Sequence, residues 1–312
     1  MKVILANPRG FCAGVNMAIE CVDEVLRLKG PPVYVYHEIV HNRHVVDDFR
    51  SRGVTFVNSV NEVPEGSILV YSAHGISPAV RAEAARRRLY EIDATCPLVT
   101  KVHMEVLRYA RDGYTIIFIG HRNHDEAVGT VGEVPQNIIV VESPEEVQAL
   151  SVPDANKVAF VTQTTLSVSD AMRVIEALKK RFPNIRHPEK DDICYATTNR
   201  QEAVTQISPD ADMVIVIGSQ NSSNSLRLVE RAKEQGKAAY LIDDQSEIDP
   251  AWFAGKNSVL VTAGASAPDH LVQALLERLK NDFAGVVETR TLVEEDISFN
   301  SPNSLRRLTV LG

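Results

Sequence analysis

The sequence has 312 residues, of which 44% are hydrophobic and 24% are charged, and this composition is typical of a globular protein with two or three domains. Its net charge of −8 argues against a nucleic-acid-binding protein, because neutralising a phosphate backbone requires a basic face. The N-terminal apolar run is too short for a signal peptide, and no later stretch reaches the roughly 18 apolar residues of a membrane span. We therefore expect a soluble cytoplasmic protein that binds neither nucleic acid nor membrane.

Short apolar runs of β-forming residues recur along the chain, and each leads through a loop of small and polar residues into a segment with helical periodicity. These runs are residues 3–6, 68–71, 116–119, 158–161, 214–217 and 259–261. Helix-start signals follow at Ser77, at Ser143 with Glu146 as its capping-box partner, and at Ser266. Strands that alternate with helices predict an α/β fold with mostly parallel sheets.

The strand–loop–helix units pair into three α/β domains of similar size. The predicted divisions are 1–96 with Cys12 and Cys96, 97–193 with His124 and Glu126, 194–284 with Cys194 and the Ser222 to Asn224 loop, and a peripheral C-terminal extension at 285–312. The three loop cysteines recur at intervals of 84 and 98 residues, each close to a third of the chain, which suggests a pseudo-threefold arrangement around a common centre.

Three of the four cysteines, Cys12, Cys96 and Cys194, lie in loops just before predicted helices. The free N–H groups and the positive dipole end of a helix start favour a thiolate there. A structural zinc site is not expected, because the sequence has no closely spaced cysteine pair. Three distant thiolates suit a four-iron cluster with one open iron, although spacing alone leaves small buried side chains as the alternative. That alternative is favoured for Cys21, which lies inside the first predicted helix.

Loop histidines form a second set of reactive groups. His41, His74 and His124 all occupy loops, and their charge is adjustable near neutral pH. A group of them could hold a diphosphate and relay protons, whereas an ordinary hydrogen-bonded loop histidine is the alternative for each. The remaining histidines keep that structural interpretation.

Hydroxyl and amide side chains also follow the predicted strands. The segment 221–225 lies at a helix start, where N–H groups and hydroxyls favour phosphate oxygens, although a turn with an N-cap would show the same pattern. Thr164, Thr165 and Ser266 offer the same chemistry on other loops. Glu126, two residues after His124, is the best candidate for a general acid, and the alternative is a solvated loop glutamate.

Seven motifs resemble those of 4-hydroxy-3-methylbut-2-enyl diphosphate reductase. They are residues 7–15, 37–42, 93–97, 163–167, 191–200, 218–225 and 262–268. The likeness runs from residue 1 to about residue 280. One departure occurs at 124–127, where the family pattern His-Pro-Glu-Val is replaced by His-Asp-Glu-Ala.

The resemblance implies a site as well as a fold of three α/β domains around a central iron-sulfur cluster. Cys12, Cys96 and Cys194 would bind one 4Fe-4S cluster per chain with an open iron. The implied diphosphate-binding residues are His41, His74, His124, Thr165, Ser222, Ser223, Asn224 and Ser266. Glu126 would supply protons to the substrate hydroxyl, with Thr164 as the relay.

The implied reaction is the last step of the methylerythritol phosphate route to isoprenoids. The allylic substrate 4-hydroxy-3-methylbut-2-enyl diphosphate would take up two electrons and two protons and give isopentenyl diphosphate and dimethylallyl diphosphate. A low-potential carrier such as ferredoxin or flavodoxin would donate the electrons. Two alternatives are a non-redox iron-sulfur dehydratase of a phosphorylated substrate and a phospholigand-binding redox sensor whose thiols report oxidation.

Overall fold

The computed structural model describes residues 1–310 and contains three β-sheets whose strands are connected by helices. The strands are β1 (Lys2–Asn7), β2 (Val33–Tyr36), β3 (Val54–Val57), β4 (Ile68–Tyr71), β5 (Tyr90–Asp93), β6 (Thr115–Ile119), β7 (Ile138–Val141), β8 (Val158–Thr162), β9 (Met213–Ile217), β10 (Ala238–Ile242), β11 (Ser258–Ala263) and β12 (Val286–Thr291). Neighbouring strands pair in parallel throughout the described sheets. The predicted mixed α/β class with parallel sheets is confirmed.

The α-helices alternate with the strands in most of the chain. They are α1 (Ala13–Lys29), α2 (Arg43–Ser51), α3 (Pro78–Arg86), α4 (Pro97–Arg111), α5 (Asp125–Glu133), α6 (Pro144–Ala149), α7 (Val168–Arg181), α8 (Tyr195–Ile207), α9 (Ser223–Glu234), α10 (Asp269–Phe283) and α11 (Asn303–Val310). Within residues 1–310, none of the helices combines the length and the apolar character that crossing a membrane requires.

The chain divides into two compact units. The first unit comprises Met1–Val15, His41–Asp48 and Tyr195–Ile297. Its five-stranded sheet has the order β10-β9-β11-β1-β12. Leu271, Leu275 and Leu279 of α10 pack on one face of this sheet, while Val204 of α8 and Leu228 of α9 belong to the core on the other face. Because the strands are parallel, the loops after β1, β9 and β11 leave the sheet at the same edge.

The second unit holds two smaller sheets. It comprises Asn16–Val40, Phe49–Cys194 and the described residues from Ser298 onward. The four-stranded sheet has the order β3-β2-β4-β5, and the three-stranded sheet has the order β7-β6-β8. The loops that follow β4, β5, β6 and β8 carry predicted site residues, and each leaves its sheet at the carboxyl end of a parallel strand.

All six apolar runs that we predicted as strands are strands in the structure, namely β1, β4, β6, β8, β9 and β11. The Ser77 signal is also confirmed, because its hydroxyl accepts a hydrogen bond from the Val80 N–H at the start of α3. The other two signals also mark helix starts, since α6 begins directly after Ser143 and α10 begins at Asp269, but the side-chain caps do not form there. Within the described residues, the Ser143 side chain does not cap α6, and Glu146 instead pairs with Arg122. The N-cap of α10 is Pro268, two residues after Ser266.

The predicted division at 96/97, 193/194 and 284/285 stays a proposal. The five-stranded sheet joins both ends of the sequence, because β1 and β12 pair with each other and lie in the same sheet as β9, β10 and β11. Residues in the predicted C-terminal extension therefore supply an edge strand of the first unit and, as α11, a helix of the second. Leu311 and Gly312, the last residues of that extension, lie outside the described residues.

Candidate functional site

The three loop cysteines precede helices as predicted: Cys12 lies directly before α1, Cys96 before α4 and Cys194 before α8. All three are partly exposed, and none of the chain's cysteines, each of which lies in the described part, forms a disulfide. Each backbone N–H is fixed to another loop. The Cys12 N–H donates to the carbonyl oxygen of Ala265 (3.2 Å), that of Cys96 to Ala73 (3.0 Å), and that of Cys194 to Thr164 (3.0 Å).

The fourth cysteine, Cys21, has the structural character predicted for it. It lies within α1 with 0% exposure. Burial, with a smaller effect of Glu20, raises the pKa of its thiol to about 12. The thiol therefore stays protonated at neutral pH and acts as a small apolar side chain.

Hydroxyl and amide groups of the first unit meet at the start of α9. Ser222 is the N-cap of this helix, and its Oγ lies 3.4 Å from that of Ser266. Asn224 accepts a hydrogen bond from the Ala265 N–H through its Oδ1 (2.8 Å). Ser222, Ser223 and Asn224 are all buried in the first turn. The helix start and the loop after β11 thus form one polar surface that suits an anion.

Two glycines allow this close approach. A Cβ atom on Gly218 would lie 2.2 Å from the Ser225 Oγ, and a Cβ atom on Gly264 would lie 2.0 Å from the same atom. Neither distance is compatible with a side chain. The ends of β9 and β11 can therefore contact the first turn of α9 only because both positions are glycine.

His41 belongs to the first unit and joins the same group of loops. Its carbonyl oxygen accepts a hydrogen bond from the Ser266 Oγ (2.8 Å). Asn42, the next residue, caps α2 by accepting a hydrogen bond from the Val45 N–H (3.1 Å). Cys12, His41, Ser222, Ser223, Asn224 and Ser266 are therefore linked through the loops of one compact unit.

His74 and His124 lie side by side in the second unit, with ring centroids 5.7 Å apart in an edge-on arrangement. Gly129 of α5 packs closely against the loop that carries His74. A Cβ atom on Gly129 would lie 3.3 Å from the backbone of Gly75, the residue after His74. The Nδ1 atom of His124 accepts a hydrogen bond from the Glu126 N–H (3.2 Å), so in the neutral ring the proton lies on Nε2.

Glu126 is a buried carboxyl group with two hydrogen-bond donors. It is 1% exposed, and it accepts hydrogen bonds from the Thr164 N–H (2.7 Å) and the Thr164 Oγ1 (2.8 Å). Burial raises its pKa to about 7; the bonds from Thr164 oppose this effect, and the charge of Asp192 adds to it. The alternative of a solvated loop glutamate is therefore wrong, and the carboxyl group can hold a proton near neutral pH.

The predicted residues of the second unit are connected through short contacts. The Glu126 carboxylate accepts a hydrogen bond from the Thr164 hydroxyl, and the Thr164 carbonyl oxygen accepts one from the Cys194 N–H. The backbone N–H of Glu126 donates a hydrogen bond to the His124 ring. Thr165, the next residue of that loop, accepts a hydrogen bond from the Gln163 Nε2 (3.0 Å). Acid, thiol and imidazole thus occupy one set of adjoining loops.

Comparison with known proteins identifies the family. A model of the LytB protein family matches residues 3–280. The chain belongs to the LytB family. It is similar to the LytB relative from Rhodopirellula baltica named 4-hydroxy-3-methylbut-2-enyl diphosphate reductase, with 56% identity over 306 residues, 98% of this chain and 96% of the relative. A relative of the same name from Alcanivorax borkumensis is 54% identical over 310 residues, 98% of this chain and 100% of the relative.

Solved structures show the same likeness to this LytB chain. The structure of the E-1-hydroxy-2-methyl-but-2-enyl-4-diphosphate reductase from Plasmodium falciparum matches with a TM-score of 0.97 and 40% identity over 99% of this chain and 98% of that one. A second, described as (E)-4-hydroxy-3-methyl-but-2-enyl diphosphate reductase, matches with a TM-score of 0.64 and 33% identity over 90% of this chain and 100% of that one. The α/β fold is confirmed by both.

Arg200 had no predicted role in this LytB chain. Its side chain is fully buried, donates to the Gly10 carbonyl oxygen (2.7 Å) and pairs with Glu295 (3.0 Å). Beside it, the Tyr195 hydroxyl accepts a hydrogen bond from the Ala13 N–H (3.3 Å). Both contacts fix the loop that holds Cys12. Gly10 and Glu295 are far from Arg200 in the sequence, so only the motif at residues 191–200 could have indicated a role for Arg200.

Asp125 occupies the position where the resemblance led us to expect proline, and its side chain has partners in the second unit. Its Oδ1 lies 2.7 Å from the His37 Nδ1, and its Oδ2 lies 4.0 Å from the His74 Nδ1. The hydrogen bond to Asp125 is the main reason why the pKa of His37 is raised above its usual value. We had interpreted His37 as a hydrogen-bonded loop histidine, and its contact with the start of α5 confirms that interpretation.

We predict that Asp125→Asn lowers the free energy of unfolding by on the order of 1 kcal/mol at pH 5.5 and by less at pH 8.5. A raised histidine pKa stabilises the folded state fully below about pH 6.5, and this contribution is lost as pH rises through the folded-state pKa. Urea unfolding at both pH values measures the difference. In a His37→Asn background the pH-dependent part should vanish, and an equal loss at both pH values would contradict the prediction.

Proposed function

We propose that this chain catalyses the reductive dehydroxylation of 4-hydroxy-3-methylbut-2-enyl diphosphate to isopentenyl diphosphate and dimethylallyl diphosphate. The observation that carries the proposal is the 56% identity, over 98% of this chain, to a relative named for that reductase. The buried acid and the polar helix start are the groups that this chemistry needs. One releases protons near neutral pH, and the other favours an anionic substrate.

Membership of the LytB family implies a metal cofactor, and we propose one 4Fe-4S cluster per chain held by Cys12, Cys96 and Cys194. The thiols fit this role because they are partly exposed, lie at helix starts and are not in disulfides. When bound, such a cluster supplies single electrons and an iron with an open position that acts as a Lewis acid. The pseudo-threefold arrangement of the domains around it stays a prediction.

The diphosphate is proposed to bind the side chains that follow the carboxyl ends of the strands. These are His41, His74, His124, Thr165, Ser222, Ser223, Asn224 and Ser266. The first turn of α9 supplies N–H groups and hydroxyls for phosphate oxygens, and imidazole N–H groups such as that on the His124 Nε2 can donate further hydrogen bonds.

We assign the proton delivery to Glu126 and Thr164. A carboxyl group with a pKa of about 7 is protonated in a large fraction of molecules at neutral pH and releases its proton readily. The Thr164 hydroxyl lies 2.8 Å from the carboxylate. It can therefore accept the proton from Glu126 while it passes its own to the departing hydroxyl of the substrate.

A reductase also needs an electron donor, and we propose a low-potential carrier such as ferredoxin or flavodoxin. The cytoplasmic location and the lack of nucleic-acid and membrane partners stay predictions from the sequence.

The two alternative functions make different predictions. A non-redox iron-sulfur dehydratase would turn over without consuming electrons, and a sensor made of bare thiols would contain neither iron nor sulfide.

Anaerobic incubation of the iron-loaded chain with the allylic alcohol diphosphate and a reduced viologen tests the proposal. Chromatography should show isopentenyl and dimethylallyl diphosphates that increase with time and with enzyme concentration. Iron and sulfide analysis of the same anaerobic preparation separates the sensor from both enzymes. Unchanged substrate in the presence of a fully loaded, reduced chain would overturn the proposal.

The variant Ser223→Ala tests the diphosphate site. It should raise KM about 10-fold and leave kcat nearly unchanged, because it removes a hydrogen bond to a charged group that is present in both the substrate and the transition state. Steady-state kinetics with a chemical reductant measures both constants. Ser151→Ala, at an exposed position, is the matched control. An unchanged KM would remove Ser223 from the site.

A further inference from the structure

Lys101 connects two loops that carry predicted thiolate ligands. It lies on α4, one turn after Cys96 at the helix start. Its Nζ donates to the Asp192 Oδ1 (2.9 Å) and to the carbonyl oxygens of Lys190 (2.7 Å) and Asp191 (3.1 Å). An ammonium group has three N–H donors, so each of them has an acceptor in this segment.

The segment that Lys101 holds leads directly to Cys194. The Asp192 side chain is 1% exposed, and its second oxygen, Oδ2, accepts a hydrogen bond from the Thr162 N–H (3.0 Å). Two residues later, the Cys194 N–H donates to the Thr164 carbonyl oxygen (3.0 Å). The chain before Cys194 is therefore fixed on one side to α4 and on the other to the loop after β8.

Lys101 and Asp192 differ in how far their side chains are exposed to solvent. Lys101 is about one-third exposed, with 30% side-chain exposure, whereas Asp192 is almost completely buried. A buried carboxylate that loses its cation is destabilised much more than an exposed one, because water cannot replace the lost partner. Loss of Lys101 should therefore move the segment 190–194 rather than leave it in place with an unpaired charge.

We propose that Lys101 is a positioning residue that fixes the Cys194 loop to α4, the helix that begins directly after Cys96. The two thiols then keep a constant separation before the cluster is assembled. The inference rests on the proposed cluster, and it adds a residue that acts through its hydrogen bonds to the segment before Cys194. The link is made by three direct contacts within one compact unit.

Anaerobic cluster loss tests this proposal. Lys101→Met, Lys101→Arg and the exposed-lysine control Lys180→Met are loaded with iron and sulfide, and the decay of cluster absorbance is followed after addition of an iron chelator. We expect Lys101→Met to lose the cluster roughly 10- to 100-fold faster than the unsubstituted chain, since supporting residues typically change metal affinity by this factor. Lys101→Arg should recover part of the lifetime, and Lys180→Met should match the unsubstituted chain.

Electron paramagnetic resonance of the reduced cluster distinguishes positioning from a general loss of stability. Displaced thiols should alter the spectrum of the fraction that stays loaded, whereas a loss of stability alone should leave it unchanged. Circular dichroism shows whether Lys101→Met folds; if it does not, Asp192→Asn, which keeps the side-chain shape, is measured instead. A folded variant with unchanged cluster lifetime and spectrum would overturn the proposal. Failure of the proposed cluster itself would appear separately, as missing iron and sulfide in the unsubstituted chain.

Discussion

Glu126→Gln is expected to lower kcat by about 10²- to 10⁴-fold while the cluster content and the affinity for substrate stay close to those of the unsubstituted chain. Glutamine has nearly the same shape and can still accept a hydrogen bond from Thr164, but it has no acidic proton. The carboxyl group has a pKa of about 7 because it is buried, so it can deliver a proton at the pH of the reaction. Steady-state turnover with a chemical reductant measures the loss.

The dependence of kcat on pH tests the role of Glu126 independently. In the unsubstituted chain, kcat should fall as pH rises above about 7, since Glu126 then loses the proton that it donates. This decline should be missing in the residual activity of Glu126→Gln. Glu176→Gln, at an exposed position on α7, serves as the control and should keep the normal profile. Near-normal turnover of Glu126→Gln would remove Glu126 from the role of acid.

Cys12→Ser, Cys96→Ser and Cys194→Ser should each abolish both the brown colour of the cluster and the activity. A serine hydroxyl does not ionise near neutral pH and is a harder ligand than a thiolate, so a three-ligand site cannot compensate for its loss. Absorbance spectra and iron analysis of anaerobically purified variants measure the effect.

Cys21→Ser is the matched control for these variants. Its thiol is buried and its pKa is raised to about 12, so it is not available as a thiolate. The variant should keep cluster and activity, with a loss of stability of roughly 1–3 kcal/mol because a hydroxyl group is buried. Retained cluster absorbance in any of the first three variants, or its loss in Cys21→Ser, would contradict the proposed ligands.

Continuous apolar runs identified the interior of the sheets better than their edges. Five of the six predicted strands, β1, β4, β6, β9 and β11, lie inside their sheets, where both faces are covered and the predicted runs are continuously apolar. The edge strands β5 and β12 have the sequences YEID and VVETRT, whose charged residues face solvent or pair with other side chains. Such strands form because a neighbour offers hydrogen bonds, and the local sequence does not show this.

The candidate site was predictable where its chemistry is local. A cysteine or serine before a helix can be recognised from a few residues, and the positions of Cys12, Cys96, Cys194 and Ser222 followed from such patterns. The supporting contacts join distant segments. Nothing in the sequence places Lys101 beside Asp192 or Arg200 beside Glu295, since these pairs exist only after the sheets have formed.

Burial is the other property that the sequence did not provide. The loop pattern around Glu126 allowed a solvated glutamate, and its raised pKa depends on the packing of α5 against the loop after β8. The exchange of proline for Asp125 was visible, but its contact with His37 was not.

A single anaerobic titration shows whether this chain is a two-electron reductase of an allylic alcohol diphosphate. A limiting amount of substrate is added to the iron-loaded chain with excess reduced viologen, and the viologen oxidised is compared with the isopentenyl and dimethylallyl diphosphates formed. We expect two electrons consumed for each molecule of product. Product formed without oxidation of viologen would instead show a dehydratase, and oxidation without these products would contradict the proposed reaction.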